Sequence, residues 1–208
     1  REAERFFGDM AAGTTRPAPG ARFAGGESRH VKQLEQAHFA LAFESPDYTD
    51  PRIHAAQIYA NALGGSMSSR LFQEIRERRG LCYTIYAQAG AYSDTGMMTI
   101  YAGTSAEQLH DLAQITIDEM KRAAEDMTQA ELERGRAQMK AGLRMGLESS
   151  SNRAERLARL VPIWGRRPRR GAVVVNLYAV TLADQTDLAV RTLSAAHIAH
   201  SPDGPAEY

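Results

Sequence analysis

One cysteine, Cys82, is all that 208 residues contain, which excludes an internal disulfide framework and a cysteine-based zinc ribbon. Neither sign of charge is in excess: 25 Lys and Arg face 25 Asp and Glu. A concentrated positive surface able to hold nucleic acid through its phosphates is therefore not expected. No apolar run approaches the roughly 20 residues of a helical membrane span; the best, residues 171–180, is broken by Asn176. The six histidines are His30, His38, His54, His110, His197 and His200. No two of them bracket a carboxylate in the H-E-x-x-H or H-x-x-E-H spacing that sets two imidazoles on one helix face beside a general base. His197 and His200 have no Glu between them, so no metal site is assigned. No G-x-S-x-G elbow is present, and Gly64-Gly65-Ser66 lacks the Lys-Ser/Thr that completes a phosphate-cradling loop. What remains is a soluble chain without a metal, nucleophile or nucleotide site of its own.

The composition, 43% hydrophobic and 24% charged, is that of a folded domain, and this length buries a core without staples. Residues 1–7 are charged and amphipathic with neither an initiator Met nor an apolar signal core. They read as the last turns of a helix, so the chain is expected to be a fragment of a longer protein. Residues 10–26 are rich in Gly, Pro, Thr and Ala, a linker composition. In residues 36–44, Ala37, Phe39, Leu41 and Phe43 alternate with polar positions, the period of a half-buried strand. Asp50-Pro51 predicts a helix start, Ala56, Tyr59, Ala60 and Leu63 its buried stripe, and Gly64-Gly65 a left-handed stop. A second helix, capped by Ser68 or Ser69, buries Leu71, Phe72 and Ile75 and ends at Gly80. Two alternating runs, 82–92 and 97–103, flank Ser93-Asp94-Thr95-Gly96 as a hairpin. Helices follow: one along Leu109, Leu112, Thr116 and Met120, one behind the capping box Thr128-Gln129-Ala130-Glu131, one from Asn152 with Leu157, Leu160 and Val161 on one face, and one capped at Thr181. Arg166-Arg167-Pro168-Arg169-Arg170 reads as an exposed loop and 171–178 as a short buried β-branched segment. Strands and helices are segregated, which predicts an α+β fold, an antiparallel-rich sheet covered on one face by helices.

The stretch 63–83, LGGSMSSRLFQEIRERRGLCY, strongly resembles the second domain of the inverted-zincin metallopeptidases, the pitrilysin/insulinase family that includes mitochondrial processing peptidase. Its wording is closest to the short bacterial members. Further matches are Gln36-Ala37-His38, Asp94-Thr95-Gly96, Tyr101-Ala102-Gly103, Glu131-Leu132-Glu133-Arg134 and Leu147-Glu148-Ser149. Residues 1–208 would then be a single C-terminal, LuxS/processing-peptidase-like metallohydrolase domain: the end of a preceding helix and a linker over 1–20, a core over 21–165, and a continuation over 166–208. In that continuation the family has a short helix and a closing strand, where this sequence shows a basic run, a β-branched run and a weak match from 195 onward.

The resemblance implies two domains that close like a clamshell on an unfolded peptide. The first holds zinc through H-x-x-E-H and a downstream Glu; the second has no metal but reaches across the cavity with an Arg and a Tyr seven positions apart. Here that pair is Arg76 and Tyr83. Peptide hydrolysis builds negative charge on the carbonyl oxygen, which a tyrosine hydroxyl stabilises by donation while a guanidinium holds neighbouring carbonyls. The same residue types also suit a helix C-terminus and a strand without any function. The glycine-rich loop, with Gly64, Gly65, Ser66 and Ser69, corresponds to a substrate-facing loop. The implied partners are an H-x-x-E-H-bearing N-terminal domain or subunit that carries the zinc, and unfolded peptide. The fragment alone is expected to be inactive and cofactor-free, and to self-associate as a homodimer through surface meant for the missing domain. The compartment implied is the bacterial cytoplasm or periplasm. The alternative is a non-catalytic peptide-binding or assembly subunit of the same fold.

Overall fold

The computed structural model describes residues 1–11, 13, 19–165, 171–194 and, for the backbone alone, 199–203. Helix α1 (Glu2–Phe7) precedes an irregular crossing, after which β1 (Ala37–Ser45), α2 (Ile53–Gly64), a π-helical segment (Phe72–Arg78), β2 (Cys82–Ala91) and β3 (Gly96–Thr104) follow. The helical half comprises α3 (Leu109–Asp126), α4 (Gln129–Gly146), α5 (Ser150–Trp164), α6 (Ala172–Ala179) and α7 (Leu182–Ser194), and β4 (Ala199–Asp203) closes the order. The strands form one antiparallel sheet in the order β2-β3-β1-β4.

Strand alternation decides which face is covered. Ala37, Phe39, Leu41 and Phe43 of β1, with Met98, Ile100 and Ala102 of β3, all point to the buried side. Against them lies α2, nine of whose twelve residues are buried; a helix apolar around most of its circumference has to be covered on both sides. The sheet takes one side, and α4 and α7 take the other. Leu112 and Met120 of α3 and Leu188 of α7 complete the core. Each such side chain contributes about 1.5–3 kcal/mol on burial. The result is the α+β arrangement expected, helices on one face of an antiparallel sheet.

Local signals explain most element ends. Thr128 and Glu131 form the full capping box of α4, and Thr181 and Asp184 make the equivalent reciprocal bonds before α7. Asp50 accepts from the Arg52 amide at 2.8 Å in the turn that leads into α2. Helix α5 begins at Ser150 with Ser149 as its cap, two residues before the expected Asn152.

Two expectations are corrected. Gly64-Gly65 is not a left-handed stop: Gly65 has φ −86°. Gly64 serves close approach instead, since a Cβ there would lie 2.4 Å from the Ala87 amide nitrogen of β2. Residues 172–179 are helical despite their three consecutive valines. Tertiary contacts override the weak propensity: Leu177 is buried, and Arg136 of α4 donates to the carbonyls of Tyr178 and Val180 at the end of α6. The basic run 166–170 and the weakly matching ends, 195–198 and 204–208, lie outside the described residues. In β4 the chain does return as a strand beside β1.

Candidate functional site

The segment between α2 and β2 builds an open cleft of about 560 Å³. Its helical part ends in an αL turn: the Gly80 amide donates to the Arg76 carbonyl at 3.1 Å, and the Leu81 amide reaches back to the Ile75 carbonyl at 3.0 Å. Gly80 supplies the required positive φ, +64°. The Thr104 hydroxyl then donates to the Leu81 carbonyl at 2.5 Å, fixing the turn to β3. Cys82 pairs with Thr104 but Thr84 pairs with Gly103, so Tyr83 is an extra residue in β2, a β-bulge. A bulge re-aims its side chain, and Tyr83 stands 79% exposed.

Arg76 and Tyr83 both line this cleft, with Gln36, Thr104 and Gln108 among the other walls. Arg76 sits on a π-helical turn, a geometry concentrated at functional sites, and its guanidinium lies 4.6 Å from the Phe72 ring centroid. Arg78 and Arg79 are both bound to Glu74, whereas Arg76 forms no ion pair among the described residues. Cys82 lines the same cleft but is itself buried; burial pushes its thiol up to about 11, against the nearby Arg76 cation that lowers it. A thiol so protonated is no nucleophile at neutral pH.

The four loop residues lie apart from this cleft. Gly64 and Ser69 are buried while Gly65 is exposed. The Ser69 hydroxyl donates to the Ser66 carbonyl at 2.6 Å, and the Gln73 side-chain amide donates to the Met67 carbonyl at 2.7 Å. Arg70 bolts the loop to the α3–α4 corner: it binds both Glu131 oxygens at 2.6 and 2.8 Å and Asp126 at 2.5 Å. Burial alone would raise the Glu131 carboxyl, but the bonds from Arg70 and Thr128 outweigh it and hold it at about 2. Sequence reasoning missed Phe72, Gln36 and Arg70. Phe72 was legible as the i−4 neighbour of Arg76; the other two depend on contacts distant in sequence.

Among the described residues no group of three or more His, Cys, Asp and Glu side chains could hold a metal ion, and no helix is long and apolar enough to cross a membrane.

The profile described as "Peptidase M16 inactive domain" matches residues 1–139. An uncharacterized zinc protease of Rickettsia bellii is 35% identical over 195 residues, which is 93% of this chain and 47% of that protein. The uncharacterized zinc protease YmxG of Bacillus subtilis is 36% identical over 193 residues, 91% of this chain and 47% of its own length. A chain in the structure of complex III2 from Candida albicans, Inz-5 bound, superposes with a TM-score of 0.85 at 22% identity, covering 94% of this chain and 49% of that one; this likeness shows the fold. The chain thus spans about half the length of the curated relatives it matches. On this match and these identities the chain belongs to the peptidase M16 family, matching that family's inactive domain.

Proposed function

We propose that this chain is the C-terminal, non-zinc domain of a zinc metalloendopeptidase, closing the catalytic chamber over an unfolded peptide and inactive alone. The observation that carries the reading is one cleft holding a projecting tyrosine and, seven residues before it, a guanidinium that forms no ion pair among the described residues, although Glu35 and Glu77 also line the cleft. Tyr83 donates its hydroxyl to the substrate carbonyl oxygen as negative charge grows there, a group worth most where water is excluded. Arg76 holds neighbouring peptide carbonyls through its fixed donors. The open part of the loop, exposed Gly65 and half-buried Ser66, touches the peptide, and the buried Gly64 and Ser69 shape it. The residues described here do not fit a zinc site; the zinc belongs to an H-x-x-E-H-bearing half, in the same chain or in a partner subunit.

The purified chain is expected to bind no stoichiometric zinc and to cleave no peptide, and to support cleavage once combined with the H-x-x-E-H half. One equivalent of zinc on ligands within these residues contradicts the reading.

A second reading, a non-catalytic peptide-binding or assembly subunit, draws on α5, no residue of which is buried. Its apolar stripe Leu157, Val161 and Trp164 is exposed, a surface that fits a docked partner or, in the isolated chain, a second copy. Arg76 and Tyr83 together in one cleft favour the catalytic parent. An H-x-x-E-H segment encoded in the same chain or an adjacent gene decides for the peptidase; absence from both decides for the subunit.

A further inference from the structure

The sheet face turned away from the helices carries a row of stacked rings. Tyr101 of β3 stands directly opposite Tyr86 of β2, with ring centroids 5.2 Å apart and planes inclined by 30°. On its other side His38 of β1 stacks at 6.0 Å and 27°. His38 Nδ1 and the Tyr101 hydroxyl share a hydrogen bond of 2.6 Å, so the middle ring is held before any ligand arrives. The row ends at β2, the edge strand of the sheet. Tyr86 there is 40% exposed and contacts no ring besides Tyr101 among the described residues.

The surroundings select what could join the row. By register, Ala40, Thr84, Gln88, Thr99 and Gly103 share this face, all small or uncharged. Two carboxylate residues share it away from Tyr86: Glu44, opposite Met97 at the far end, and Asp203 of β4, opposite His38 on the other side of β1. A charged side chain finds no counter-charge beside Tyr86, whereas a ring finds a stacking partner at the 4.5–7 Å spacing that aromatic pairs prefer. The row is also continuous with the cleft. A Cβ on Gly103 would lie 3.2 Å from Gln36 Oε1 and 3.8 Å from the Tyr101 hydroxyl, and Gln36 is a wall of the Arg76–Tyr83 cleft.

We infer that Tyr86, Tyr101 and His38 form a subsite for an aromatic side chain of the peptide, which extends the stack on Tyr86. The inference rests on the peptidase reading above and adds a substrate preference to it. Tyr83 and Tyr86 are three positions apart on one strand, roughly 10 Å, so the selected residue lies about three positions from the carbonyl that Tyr83 holds.

The test uses the complete protein, zinc-bearing half included, and paired fluorogenic peptides identical except for Phe or Ala three residues from the scissile bond, placed on each side in turn. Wild type is expected to favour one Phe peptide about five- to tenfold in kcat/KM, an effect on KM. The ratio falls to about one in Tyr86→Ala and in Tyr86→Leu, which keeps the bulk, and persists in Tyr86→Phe; thermal melts control for folding. A ratio unchanged by loss of the Tyr86 ring, as when the zinc-bearing half or a second copy covers the row, overturns the inference and leaves the peptidase reading standing. Failure of wild type to cleave either peptide removes that reading, and the subsite with it.

Discussion

The Gly80 amide donates to the Arg76 carbonyl at 3.1 Å, so the turn that aims Tyr83 is tied to the residue whose guanidinium shares its cleft. The tie depends on a left-handed backbone at Gly80, φ +64°, and among the described residues beyond its chain neighbours no heavy atom lies within 4 Å of where a Cβ would sit.

Gly80→Ala therefore isolates backbone strain from crowding. The variant is expected to lose about 1 kcal/mol of stability and to lose more peptidase activity than that alone explains, because the turn carries the angle between Arg76 and Tyr83. Denaturant melts and steady-state kinetics on the complete protein check both; an unchanged midpoint contradicts the strain argument.

The Arg70–Glu131 pair predicts a pH dependence. The Glu131 carboxyl is held at about 2, below its ordinary 4.5. A depressed carboxyl contributes stability that is present above its unfolded value and is lost as pH falls through the folded one. The wild-type advantage over Glu131→Gln should be about 3 kcal/mol at neutral pH and vanish between pH 4.5 and 2. Gln preserves a capping acceptor for Thr128, so the difference reports the charge. Urea melts across that range measure it; parallel curves for the two proteins contradict the assignment.

The elements most legible in the sequence were those with local causes. The alternation of Ala37, Phe39, Leu41 and Phe43 faces β1 onto the core, and Thr128 with Glu131 caps α4, without help from distant residues. Gly64-Gly65 misled because glycine serves two ends, a positive φ or a close approach, and only the position of Ala87 tells which. Helix α6 was illegible because its support comes from Arg136, more than 40 residues away by the separations of its two bonds. The candidate site divides in the same way. The seven-residue spacing of Arg76 and Tyr83 is in the sequence, but the bulge that turns Tyr83 outward exists only in the register of β2 against β3. The stacking of Tyr86, Tyr101 and His38 likewise needs three strands in place.

The most direct measurement is the kinetics of Tyr83→Phe beside Arg76→Ala in the complete protein on a fluorogenic peptide, with thermal melts as the folding control. Tyr83 is 79% exposed, so removing its hydroxyl opens no cavity and should leave the melting temperature unchanged. Loss of a transition-state donor should lower kcat and kcat/KM together by about 10²–10³ with KM little altered. Arg76→Ala should instead raise KM about tenfold, since a cation that holds ground-state carbonyls contributes to uniform binding. Wild-type kinetics from both variants would contradict the account, leaving the pair a structural feature of the turn.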